Sequence, residues 1–207
     1  MARDAERLAR ARQGPIVGGL PDAPGILTAL RLTPNLGIHL RGLADELLVN
    51  DFPGATISRA EREMLATGVS AGNDCFFCMD SHAAHAAAVL EREGDLGSLR
   101  LVEGITRGSL EDVGDKMRAL LHIAEIVRRQ ALDLTEADVA AAHAAGASDA
   151  DVQLAVLIAA AFSMYNRMVD GFRAGTPPSV EVYRERAAVI AEQGYSVPSA
   201  PEASVRG

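Results

Sequence analysis

Cys75-Phe76-Phe77-Cys78 holds both cysteines of the chain, and Ser81 and His82 follow directly. Glu63 stands twelve residues before Cys75, so the whole constellation reads Glu-x11-Cys-x2-Cys-x3-His. Two thiols beside an imidazole can do redox chemistry or bind a metal. A staple across two intervening residues would close too small a loop to stabilise a fold of this size, so structural bridging is a poor explanation for the pair. Residues three and four apart share a helix face, so Cys75, Cys78, His82 and His85 project together if a helix begins near Cys75. Unpaired backbone N–H groups at such a helix start favour a thiolate. His82 can add to that effect when protonated, or act as a base when neutral. Glu63, arriving from the preceding helix, can orient the imidazole or relay a proton.

These are the parts needed to reduce a hydroperoxide. One thiolate attacks the distal peroxide oxygen and becomes a sulfenic acid, while a proton reaches the leaving alkoxide. The second thiol condenses with the sulfenic acid, water leaves and a disulfide forms, which an external dithiol must then reduce. Phe76 and Phe77 can line an apolar approach or belong to the core. The same side chains allow a rival reading, in which Cys75, Cys78, His82 and Glu63 bind zinc or sense redox state without turnover.

The elements that would hold these groups are helical throughout. Leu36, Leu40, Leu43 and Leu47 mark one amphipathic face after Pro34 and Asn35, and Asn50 to Gly54 breaks the chain. Ser58 with Glu61 three residues on is a capping box opening the helix that carries Glu63, and that helix should end near Gly72. Asn73 or Asp74 is expected to cap the next helix, from about Cys75 toward Glu91. Residues 92–113 read as short helices and loops. Met117, Leu120, Leu121, Ala124 and Val127 form another helical face, Thr135 and Ser148 are further caps, and Gly146 ends the helix between them. Val152 to Val169 is apolar nearly all round, as in a central buried helix. Gly175 to Pro178 precedes a last helix, Val180 to Gln193. No period-2 run of strand length occurs, and the expected fold class is all-α. The capped helices around Ser58 and Ser148 hint at a duplicated helical hairpin.

Composition agrees with this outline. The 207 residues fit one sizeable domain, expected at 21–194, with 1–20 as an extension and 195–207 as a disordered tail rich in Pro, Ser and Ala. A formal charge of −8 without a dense basic stripe argues against a nucleic-acid partner. The longest uninterrupted apolar run, Leu154 to Phe162, is too short to span a bilayer, and the N-terminus has no apolar signal segment. A cytoplasmic protein without a membrane partner is therefore the expectation, and no cofactor is called for. His39, His122 and His143 have no partner visible in sequence, and Asn166, Arg167 and Asp170 read as helix-packing or subunit-contact residues.

The spacing Glu63-x11-Cys75-x2-Cys78-x3-His82 resembles the signature of the alkylhydroperoxidase D and carboxymuconolactone decarboxylase superfamily. Ile57-Ser-Arg-Ala-Glu-Arg-Glu63 before the cysteines and Ser81-His-Ala-Ala84 after them agree with it. Asn166-Arg167 with Asp170 is similar to the C-terminal part of the peroxidase-related branch, and the likeness spans about residues 20–175. The resemblance implies an all-helical fold, a homo-oligomer and thiol-dependent reduction of organic hydroperoxides. It implies Cys78 as the attacking thiol, Cys75 as the resolving one, and Glu63 with His82 as the proton relay. It also implies an external dithiol reductant such as a lipoyl-bearing protein. The family's best-known enzyme has a histidine directly before its second cysteine, where this chain has Phe77. A decarboxylase-like lyase is a third reading, ranked last because that branch generally lacks the cysteine pair.

Overall fold

The structure, a computed structural model, describes residues 14–177 and 181–196. All its regular elements are helices: α1 (Ile26–Leu30), α2 (Pro34–Leu48), α3 (Arg59–Gly72), α4 (Phe76–Glu93), α5 (Leu99–Thr106), α6 (Asp115–Gln130), α7 (Glu136–Ala144), α8 (Asp149–Phe172) and α9 (Glu181–Gln193). Short 3-10 turns occupy Leu96–Ser98 and Ala131–Asp133, and no strand occurs among the described residues. The all-α expectation holds.

Helix starts follow local chemistry. Ser58 accepts from the Glu61 N–H while Glu61 accepts from the Ser58 N–H, and the pairs Thr135–Asp138 and Ser148–Asp151 repeat this box for α7 and α8. α2 is capped by Thr33, with Pro34 in the first turn where its missing N–H costs nothing. Of its predicted apolar face, Leu40 and Leu47 are buried, whereas Leu36 and Leu43 are more than a third exposed.

The start of α4 differs from the expectation. Cys75 itself is the N-cap residue, with no side-chain capping bond, and neither Asn73 nor Asp74 caps the helix. Asn73 is engaged elsewhere: its amide donates to Asn166 Oδ1 at 2.8 Å and its carbonyl accepts from Arg128 at 3.2 Å. Asp74 turns the chain with a positive φ of 55°, and the Cys75 N–H donates back to the Ser70 carbonyl at 3.0 Å. A three-residue connection therefore folds α4 onto α3, which form the most extensive helix pair of the molecule.

α8 runs through the centre, packed on α3 and α6, with Leu154, Ile158 and Phe162 fully buried beside Leu65, Leu120 and Ile123. Each such side chain contributes about 1.5–3 kcal/mol on leaving water. By length and composition α8 is long and apolar enough to cross a membrane, which the short uninterrupted run does not reveal. Of its most apolar window 61% is buried inside the fold, as in a core helix. α9 packs along α4. The chain remains part of this body past the expected domain end at 194. The N–H groups of Tyr195 and Ser196 donate to the two Asp45 carboxylate oxygens at 2.6 and 2.9 Å. The rest of the expected tail, 197–207, lies outside the described residues, as do residues 1–13 of the expected extension.

Candidate active site

α4 begins at the cysteines. Cys75 is fully buried at its N-cap, Cys78 is 3% exposed one turn on, and both are free thiols. The two sulfurs are not equivalent. Hydrogen bonding to the Cys78 side chain, then burial, then the charges of Cys78 and Asp170 push the Cys75 thiol far above its ordinary pKa. Cys75 thus holds its proton and donates it in a hydrogen bond to Cys78.

Glu63 is 0% exposed, two residues past Glu61 on the capped start of α3. Its Oε2 accepts from His82 Nδ1 at 2.8 Å, and its Oε1 accepts from the Tyr195 hydroxyl at 2.7 Å. The same hydroxyl lies 2.8 Å from His85 Nδ1. Burial, then the Glu63 charge, raise the Tyr195 pKa well above 10.0, so the phenol stays protonated. Its one proton goes to the carboxylate, so His85 must donate through Nδ1. Burial, then the charges of His82, Arg186 and Arg59, hold His85 well below its ordinary pKa, so its ring is neutral. The proton count therefore leaves a lone pair on His85 Nε2, which is buried and has no hydrogen-bond partner.

A cavity of about 60 Å³ opens onto this network, room for several waters where one needs about 10–15 Å³. Cys78, Ser81, His82, His85 and Tyr195 reach it, but Cys75 does not. Most of the remaining wall is apolar, from α1, α2, Phe162 and Ile190, with Arg41 and Arg186 as the exceptions. Phe77 also lines it, braced edge-on by Tyr183 at 5.5 Å between ring centres. Phe76 instead packs with Ala71 and Met79.

The sequence signature is thus brought together: Glu63 is joined to His82, Cys78 lines the same cavity as His82, and Cys75 is hydrogen-bonded to Cys78. Two partners fall outside it. His85 shares the expected face but not the matched spacing. Tyr195 lies in the expected tail, and no pattern in the sequence marks it. A group able to hold a metal ion is Glu63, His82 and His85, whose ligand atoms all lie within 4.8 Å of one another. That donor set differs from the one expected for zinc, because neither cysteine belongs to it. The remaining candidates are structural or superficial. Asn166 ties α8 to α3 through Asn73 and Ser70, Arg167 bonds the Ser163 carbonyl of its own helix, and His122 and His143 pair with exposed or partly exposed aspartates. His39 is exposed.

Residues 42–125 match the model of the Carboxymuconolactone decarboxylase family. No curated protein matches the chain. Among solved structures it is similar to an alkylhydroperoxidase core, an uncharacterized peroxidase-related protein from Ralstonia eutropha, at 24% identity and a TM-score of 0.65, covering 80% of this chain and 82% of that one. It is similar in the same way to an uncharacterized peroxidase-related protein from Silicibacter, at 24% identity and a TM-score of 0.63, covering 84% and 93%. The chain has the alkylhydroperoxidase-like helical fold, and across 42–125, the segment that carries Glu63, Cys75, Cys78 and His82, it matches the carboxymuconolactone decarboxylase family.

Proposed function

We propose that the protein is a thiol-dependent peroxidase for organic hydroperoxides. The observation that carries this reading is the asymmetry of the thiols: Cys78 faces the cavity and Cys75, with its raised pKa, stands behind it. The Cys78 thiolate attacks the distal oxygen of the hydroperoxide, the O–O bond breaks and a sulfenic acid forms. The departing alkoxide takes a proton through His82, whose Nδ1 is fixed by Glu63 and whose ring reaches the cavity. Cys75 then gives up its proton and attacks the Cys78 sulfur, the S–O bond breaks, and the hydroxide takes a proton to leave as water. The hydroperoxide has gained two electrons and the dithiol has lost two, which an external dithiol restores. A lipoyl-bearing protein is the external dithiol that the resemblance implies. A homo-oligomer follows from the resemblance, and light scattering on the purified protein reads it.

The test is a free-thiol count before and after one equivalent of cumene hydroperoxide. Two thiols should fall to none and return with dithiothreitol. Cys78→Ser should abolish the reaction, and Cys75→Ser should allow one oxidation without recycling. Wild-type turnover by both variants would exclude the mechanism. A metal-binding reading is kept by one observation, the compact Glu63, His82 and His85 group, and stoichiometric zinc in the purified protein would favour it.

A further inference from the structure

Arg41 and Arg186 stand on the wall of the cavity that Cys78 reaches, in a chain of net charge −8. Among the described residues, no acid is ion-paired with either guanidinium. Burial first, then the charge of Arg41, lower the Arg186 pKa, with Arg31 adding to the effect and Tyr195 opposing it, so like charges meet at this wall. Arg41 Nε is buried and has no hydrogen-bond partner. The nearest acid on its own helix, one turn on, is Asp45, whose two oxygens accept from the Tyr195 and Ser196 N–H groups. Gathering guanidinium groups in a partly buried place is costly unless an anion joins them. The other wall residues of this space, Ile26, Leu27, Leu30, Leu40 and Phe77 among them, suit a hydrocarbon body.

We propose that Arg41 and Arg186 form an oxyanion subsite, so that the natural ligand of this cavity carries a carboxylate or phosphate on an apolar frame. Resting on the peroxidase reading, the substrate class becomes an anionic organic hydroperoxide, its peroxide end toward Cys78 and its charged end on the two guanidinium forks. Those forks match the planar, two-oxygen edge of such a headgroup.

Turnover of para-carboxy cumene hydroperoxide is compared with that of its methyl ester, with dithiothreitol as reductant. The acid should be preferred by about tenfold in kcat/KM, the value of one charge-assisted contact. Arg41→Gln and Arg186→Gln should bring the ratio of acid to ester toward one, and Arg186→Lys should keep part of it. An equal rate for acid and ester in the wild-type protein overturns the subsite, whatever the variants do. A second measurement needs no turnover: protection of Cys78 from iodoacetamide by benzoate, phenyl phosphate or benzyl alcohol. Protection by either anion above that of the alcohol supports the subsite and identifies its headgroup. Equal protection by all three, or none, overturns it. If no hydroperoxide is turned over while benzoate or phenyl phosphate still protects, the peroxidase reading fails and the anion subsite stands.

Discussion

Replacing Tyr195 by phenylalanine removes one hydroxyl, and with it the donor to Glu63 Oε1 and the acceptor for His85 Nδ1. Two buried polar groups are then left unsatisfied, at about 1–3 kcal/mol each. Tyr195→Phe should therefore lower the urea midpoint and slow Cys78 oxidation while leaving both thiols countable. Glu63→Gln goes further, since an amide offers an N–H where either His82 or Tyr195 presents one already. Loss of the relay should slow peroxide-driven oxidation by about 10²-fold or more, read by stopped-flow thiol titration. His85 gives a pH signature. Its folded pKa lies well below that of the unfolded chain, about 6.5, so on acidification the unfolded state takes up the proton first. Stability should be full above pH 6.5 and fall as pH drops below it, by up to about 1.4 kcal/mol per unit for this one group. His85→Gln should flatten that slope in thermal unfolding at pH 7.5 and 5.5. The cysteines, Glu63 and His82 were legible because their spacing is fixed within one helical hairpin. Tyr195 was not, because a lone tyrosine just past the last helix carries no period and no motif.

At the scale of elements, the joint between α3 and α8 depends on Asp151. Burial works against its carboxylate, but hydrogen bonds from the Thr56 hydroxyl and from the Ser148, Thr56 and Ile57 N–H groups outweigh this and hold its pKa at about 2. It caps α8 and at the same time fixes the segment leading into α3, the helix that carries Glu63. Asp151→Asn should cost about 2–4 kcal/mol, against about 1 kcal/mol for Ser58→Ala at the simpler box, in denaturant unfolding. The stability Asp151 supplies is present above the ordinary carboxylate pKa of 3.8 and is lost as pH falls toward 2, a window separate from that of His85. The Ser58–Glu61 box could be read directly, and Thr135 and Ser148 as caps, since each is a local signal at a helix start. The start of α4 could not. Asn73 has the right side chain for a cap, but Asn166 and Arg128, distant in sequence, recruit it, and tertiary demand overrides local preference.

Across the whole molecule, the cavity depends on segments that come together only on folding. Gly25 illustrates this: a Cβ there would sit 2.2 Å from the Phe77 ring, and its φ of 52° already disfavours other residues. Gly25→Ala should displace Phe77 from the wall of the Cys78 cavity and raise the rate of Cys78 alkylation by iodoacetamide. Truncation after Gly194 should be more damaging than Tyr195→Phe, because the buried ring is lost along with the hydroxyl. Tyr195 touches Glu63 from well beyond residue 125, where the matched family segment ends. Inheriting the signature is therefore not the same as inheriting the acid network. A graft of 42–125 onto another scaffold would transplant the thiols, the carboxylate and the imidazoles but leave the hydroxyl between them behind. Relatives sharing the same four-residue spacing are free to diverge in proton chemistry by editing only the last few residues of their fold.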